Sequence, residues 1–199
     1  MKTRIKWGNV IRATCILTAM TVGCVVGANA LKETSATDPT SHVQEEGFVE
    51  YQIPTDFARE GGRLDARVQK RAWYACHGAN VDYPTVLAII EAETGYKNDA
   101  ISKSGAVGYM QVIPSWHGER IERMHADVSN PVDNIIIGID YLSELQTHCK
   151  DENYLLMSYN MGLSEATRLW ELGVHSTEYS RYIIKRAKEI RSKLEGAYL

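Results

Sequence analysis

Two carboxylates interrupt the most apolar stretch of this sequence. Val86, Leu87, Ile89 and Ile90 form a nearly continuous hydrophobic run, and Glu91 and Glu93 follow it directly, just before Gly95. Ionised carboxylates are seldom fully buried without partners. A carboxyl in the last turn of a buried helix lies at the edge of the core, where it can face a cleft while apolar walls exclude water. Desolvation disfavours the charged form and raises a carboxyl pKa, which suits a general acid working near neutral pH. Residues two apart on a helix point about 200° away from each other, so the two glutamates are not expected to serve one site. One is the candidate acid, and the other is solvated or structural.

The elements that must position these groups are read as follows. Asp82 reads as an N-cap, and Pro84 sits in the first turn of the helix that carries Glu93 and stops at Gly95. A polar loop follows. Gly105 and Gly108 let the backbone turn before a short apolar piece, Tyr109 to Ile113, closed by Pro114. Upstream, Arg63 to His77 reads as an amphipathic helix ended by Gly78. Downstream, Ser115 to Asp127 is mixed. Asn130-Pro131 starts a helix with a buried face of Ile135, Ile136, Ile139, Leu142 and Leu145 that runs through to Cys149. Asn153 to Met161 and Glu165 to Leu172 are two more helical pieces, the second ending at Gly173, and Ser176 caps a last helix running to about Leu194. No strong strand signal and no internal repeat appear. The expected fold class is mostly α.

The residues from Glu93 onward resemble the catalytic core of the soluble-type lytic transglycosylases, whose domain is similar to goose-type lysozyme. That family's pattern is a catalytic Glu followed by Ser, an Asn-Pro-like pair, Ala-x-Ser, then Gly-Ala-x-Gly-Leu-Met-Gln and a Pro. This chain has Glu93-Thr94, Lys97-Asn98, Ala100-Ile101-Ser102, Gly105-Ala106-Val107-Gly108-Tyr109-Met110-Gln111 and Pro114, without a gap. It departs at Thr94, Asn98 and Tyr109. A glutamate near a helix end is ordinarily a solvated surface residue; the ordered Gly, Ala, Met, Gln and Pro at fixed offsets overturn that reading and select Glu93 over Glu91. The resemblance continues through Asn134, Gly138 and Tyr141-Leu142. It reaches Tyr159-Asn160 and Gly162, where Ser158 and Met161 depart from the family's Ala-Tyr-Asn-Ala-Gly, and then Glu178 and Tyr182-Ile183, which resemble Glu-Thr-x-x-Tyr-Val.

The resemblance implies a lysozyme-like helical domain with a catalytic cleft and an enzyme that cuts peptidoglycan. The bond is the β-1,4 linkage between N-acetylmuramic acid and N-acetylglucosamine. Glu93 is the expected acid and then base, and the product is a 1,6-anhydromuramoyl end. Ser102, Gln111, Tyr159 and Asn160 are the implied sugar-positioning residues, with Tyr182 near the acid or hydrogen-bonded to it. For Ser102 and Asn160, turn capping is an equal reading. Gln111 is the stronger secondary candidate, because an amide inside an apolar run needs a partner. No cofactor is implied. Two rival readings stand beside this one. The first is a muramidase that uses water, with Asp99 or Asp127 as the base carboxylate. The second is a non-catalytic wall-binding module of a secretion, conjugation or phage apparatus.

The remainder of the 199 residues frames that domain. Residues 1–30 read as an export signal: Lys2, Arg4, Lys6 and Arg12 are basic, Val10 to Val26 is largely apolar, and Ala28-Asn29-Ala30 fits a cleavage pattern. An uncleaved membrane anchor is the alternative, and lipidation at Cys24 has a poor context. Residues 31–62 read as a flexible linker and 63–199 as the catalytic domain. The expected location is the cell surface, periplasm or exterior. Net charge is -3, so no basic footprint argues for nucleic acid. The expected partners are glycan strands, the membrane through the N-terminal segment if it is retained, and a secretion or conjugation complex. Eleven tyrosines against two phenylalanines suit carbohydrate binding, because amphipathic rings stack on sugar faces, although ordinary structural tyrosines explain any one of them equally well. His117 and His125 lack a third ligand at helical spacing and read as surface or loop histidines rather than a metal site. With Cys15 and Cys24 in the leader, Cys76 and Cys149 are left to form a disulfide in an exported protein, or to stay as two buried thiols.

Overall fold

The central element is a helix with almost no solvent-facing side. In the structure, a computed structural model that describes residues 64–196, helix α2 (Tyr83–Thr94) buries every residue from Tyr83 to Ile90. A helix that is apolar all round belongs inside a core, and α7 (Glu178–Gly196) and α1 (Ala66–Ala79) pack directly on it. Its ends are the expected ones. Asp82 accepts the Thr85 N–H at 2.9 Å and the Thr85 hydroxyl at 2.6 Å. Gly95 takes the left-handed conformation, φ 59°, that ends the last turn.

Six further helices accompany α2 among the described residues: α1 (Ala66–Ala79), α3 (Gly118–Arg123), α4 (Pro131–His148), α5 (Glu152–Met161), α6 (Leu163–Glu171) and α7 (Glu178–Gly196). Helix α7 packs along α2, α1 packs on α4, and α5 joins α6 and α7. The only extended structure among these residues is a pair of isolated bridges, Ile101 to Val107 and Val107 to Val112, which fold the glycine-containing loop back on itself. The mostly α expectation holds.

Several boundaries differ from the sequence reading. Helix α1 runs through Gly78 and stops two residues later. There Asn80, at φ 53°, is the left-handed cap, and its N–H reaches the Cys76 and His77 carbonyls. Asn tolerates that conformation, so the glycine was not required as a stop. Helix α7 is capped by Thr177 rather than Ser176. Thr177 Oγ1 accepts the Ser180 N–H at 3.2 Å while Ser180 Oγ accepts the Thr177 N–H at 3.0 Å, a reciprocal pair. Ser176 instead accepts a hydrogen bond from Arg181. The mixed 115–127 segment contains the short helix α3, held from the side by Arg120 rather than by a cap.

The expected disulfide is also corrected. Cys76 and Cys149 are both buried free thiols. Cys76 sits within the core on α1, where burial pushes its thiol pKa up. Cys149 follows the end of α4 with its sulfur 3.5 Å from Ser158 Oγ. Each thiol is occupied by its own packing environment. The signal segment 1–30, the linker 31–62 and Arg63 lie outside the described residues.

Candidate active site

The two glutamates meet the same helix and find different partners there. Glu91 Oε2 pairs with Arg186 of α7 at 3.0 Å, and its Oε1 lies 3.4 Å from the Tyr182 hydroxyl. It is a partly buried structural ion pair that fixes α2 against α7. Glu93, one turn-end later, accepts a hydrogen bond from the Tyr179 hydroxyl at 2.9 Å. A phenol is a directional donor without charge. It orients a carboxyl without supplying the full counter-charge that an arginine would.

Opposite this end of α2, the segment 109–111 is gripped from three helices. Thr94 Oγ1, on α2, lies 3.5 Å from the Tyr109 carbonyl. Asn134, fully buried on α4, accepts the Met110 N–H at 2.9 Å and donates to the carbonyls of Val107 at 2.9 Å and Val128 at 3.0 Å. Tyr159, on α5, donates to the Met110 carbonyl at 2.8 Å. Gly108 is the one residue that fits here. Its φ is 71°, and a Cβ would lie 2.5 Å from Asn134 Nδ2.

The grip holds Gln111 in a left-handed conformation, φ 49°, which few non-glycine residues adopt. Its side-chain amide donates to the Ala100 carbonyl at 3.2 Å and the Gly108 carbonyl at 3.1 Å. These carbonyls are the partners that an amide in an apolar run requires. Backbone strain of this kind, about 1–3 kcal/mol, collects at functional sites. Ser102 serves the loop as well. Its Oγ accepts the Ala106 N–H at 3.0 Å and pairs with Ser104 Oγ at 3.0 Å.

An aromatic wall continues from Tyr159. Its ring lies 5.7 Å from that of Tyr141, and Tyr141 lies 4.7 Å from His117. Burial pushes the Tyr159 and Tyr179 phenols well above their usual pKa, and the neighbouring Glu93 charge pushes further in the same direction. Both therefore stay protonated as donors. Asn160 is half-buried beside Tyr159 near the end of α5. His117 is held neutral, its pKa lowered to about 4 by burial and then by Arg120, whose guanidinium donates to Nδ1 at 2.8 Å. The acceptor role of Nδ1 places the ring proton on Nε2.

Thus Glu93, Tyr159 and the loop of Gln111 are brought together, while Tyr182 bonds Glu91. The residue that sequence reasoning missed is Tyr179. It stands where the family pattern has Thr, so the resemblance gave no reason to single it out. The available signal was its spacing, three residues before Tyr182 on one helical face. The rival bases are differently engaged. Asp99 is exposed in the loop, and Asp127 accepts both the Ser129 N–H at 2.9 Å and the Ser129 hydroxyl at 2.7 Å as a turn.

Three lines of similarity bear on this arrangement. Proteins described as endo-type membrane-bound lytic murein transglycosylase A, from two Klebsiella pneumoniae strains, are 39% identical over 74 residues, covering 33% of this chain and 36% of theirs. The match spans about a third of the length of these curated relatives. The X-ray structure of an inactive glutamate-to-glutamine mutant of the lytic transglycosylase Slt from Pseudomonas aeruginosa superposes with a TM-score of 0.55. It is 19% identical and covers 64% of this chain and 24% of that one. That likeness establishes the lysozyme-like helical fold. The family model for the transglycosylase SLT domain matches residues 74–181, from α1 through the start of α7, and so contains Glu93, Tyr159 and Tyr179. The chain belongs to the transglycosylase SLT domain family.

Proposed function

We propose that this protein is an exported peptidoglycan lytic transglycosylase with Glu93 as its single acid and base. The observation that carries the reading is the Tyr179–Glu93 hydrogen bond at the end of an otherwise sealed apolar helix. Protonated Glu93 donates to the glycosidic oxygen as the bond from the muramoyl anomeric carbon breaks. The resulting carboxylate takes the proton from the muramoyl 6-hydroxyl as that oxygen bonds to the anomeric carbon. Proton and bond counts balance without water, and the product is a 1,6-anhydro end. Glycosidases that use two carboxylates place them at set separations. Here the nearest glutamate in sequence, Glu91, is bound to Arg186. The substrate's own N-acetyl group takes the role of the second carboxylate.

Tyr179 holds the Glu93 carboxyl in the geometry needed for both transfers. Gln111, Ser102, Tyr159 and Asn160 line the sugar path, with Tyr182 behind Glu91. Support for export comes from the basic start, the apolar 10–26 stretch and the Ala28-Asn29-Ala30 site. The relatives are described as membrane-bound, which is consistent with a cell-envelope location. The linker would let the domain reach the wall, and a secretion or conjugation apparatus is the candidate partner. Among the described residues, no helix is long and apolar enough to cross a membrane.

The test is digestion of purified sacculi. Glu93→Gln should keep the fold and lose activity, whereas Glu91→Gln should remain active with a stability loss of about 1 kcal/mol, as for a partly exposed ion pair. Equal activity loss in both, at matched circular dichroism, would show that the wrong carboxylate was chosen.

A further inference from the structure

A groove of about 560 Å3 opens beside α3, its lining including Ser115, Trp116, His117, Glu119, Arg123 and Glu144. That volume is in the range of ligand pockets. The groove is pre-built. Arg120 is 9% exposed and is held by Asp140 at 2.6 Å, by Glu144, and by His117 at 2.8 Å. It also lies over the Tyr141 ring at 5.1 Å. Arg123 adds a second bond to Asp140 at 2.7 Å.

Trp116 contributes little to this scaffold. It is 62% exposed and stands outside the hydrophobic core. A large exposed indole beside a fixed polar floor offers an apolar face on which a ring can stack. The charges nearby alternate in sign, Arg120 and Arg123 against Asp140, Glu144 and Glu119, so the groove favours neither a cation nor an anion. An aromatic face beside mixed donors and acceptors suits a neutral polyhydroxy ring with one apolar C–H face and polar edges. The lining of the groove is packed against the catalytic end. His117 lines the groove, and two ring contacts, through Tyr141, lead from His117 to Tyr159 beside Glu93.

We propose that this groove is an outer saccharide subsite, in which Trp116 stacks on a sugar ring of the same glycan strand that Glu93 cuts. Glu119, Arg123 and Glu144 hydrogen-bond its hydroxyl and N-acetyl groups. The inference rests on the peptidoglycan reading above.

The test uses the full chain carrying Glu93→Gln, so that strands remain uncut, titrated calorimetrically with glycan strands stripped of their peptides. Adding Trp116→Ala should weaken binding roughly tenfold, and Trp116→Tyr should retain most of it. The unfolding midpoint should not move, because the side chain is exposed. With Glu93 restored, Trp116→Ala should raise KM on long strands more than it lowers kcat. Unchanged affinity for naked strands would overturn the subsite. A loss seen only on peptide-bearing strands would assign the groove to the peptide stem and overturn it equally. A parent protein that cleaves sacculi while Trp116→Ala binds normally refutes the subsite alone. A parent that neither binds nor cleaves strands refutes the subsite and the underlying function together.

Discussion

Asn134→Ala should detach the loop that carries Gln111, and the structure sets the size of the effect. Asn134 makes three hydrogen bonds from a fully buried position. Their losses are unequal. The Val107 carbonyl keeps the Val112 N–H at 3.0 Å, and Val128 is only partly buried, so water can replace its partner. Each of these two bonds is worth about 1 kcal/mol. Met110 is 1% exposed, and its N–H would be stranded at about 1–3 kcal/mol. The expected loss is therefore about 3–5 kcal/mol, a large part of the ~5–15 kcal/mol that holds a domain together. Urea unfolding followed by circular dichroism should show a lower midpoint with an unchanged slope. Amide exchange should rise most over residues 107–112, and activity should fall even where the fold persists, because the Tyr159 anchor and Gln111 ride on this loop. A loss below about 1 kcal/mol, or exchange unchanged over the loop, would refute the three-helix grip.

Two further perturbations probe the site. Tyr179→Phe removes the hydroxyl that bonds Glu93 while keeping the ring, so kcat should fall about 10–100-fold, the equivalent of one hydrogen bond to a charged group. A change within twofold would show that Tyr179 only packs. His117 is lowered from 6.5 to about 4 in the folded protein by burial, then by Arg120, with Glu144 opposing. Between those values the unfolded chain binds the proton and the folded chain does not, so stability is full above pH 6.5 and declines as pH falls toward 4. His117→Gln should flatten that part of a stability-versus-pH curve, and an unaltered slope would contradict it.

What could be read in advance follows from how local the cause is. Asp82, Pro84 and Gly95 bound α2 through contacts within one turn, and Asn130-Pro131 does the same for α4. Such signals are written in adjacent residues. The partners of Glu93 and Glu91 are not, because Tyr179 and Arg186 come from a helix more than eighty positions away. A tyrosine on the buried face of an amphipathic helix looks the same in sequence whether it fills the core or binds an acid. Similarly, Gly78 resembled a helix stop, yet Asn80 supplies the left-handed turn. Asn134 matched the family pattern, but its role at the centre of the loop's hydrogen bonds needed the fold to bring α4 beneath Met110.

The central claim is that one glutamate acts without a water-activating partner, and product mass tests it most directly. Purified protein is incubated with sacculi, and the released muropeptides are analysed by mass spectrometry. If the muramoyl 6-hydroxyl attacks, as Glu93 alone would direct, the ends are 1,6-anhydro sugars, one water lighter than reducing ends. The account predicts that these dominate with the native sequence and vanish in Glu93→Gln. A digest dominated by reducing-end muramic acid would contradict it, making the protein a hydrolase and Asp99 and Asp127 the next residues to mutate.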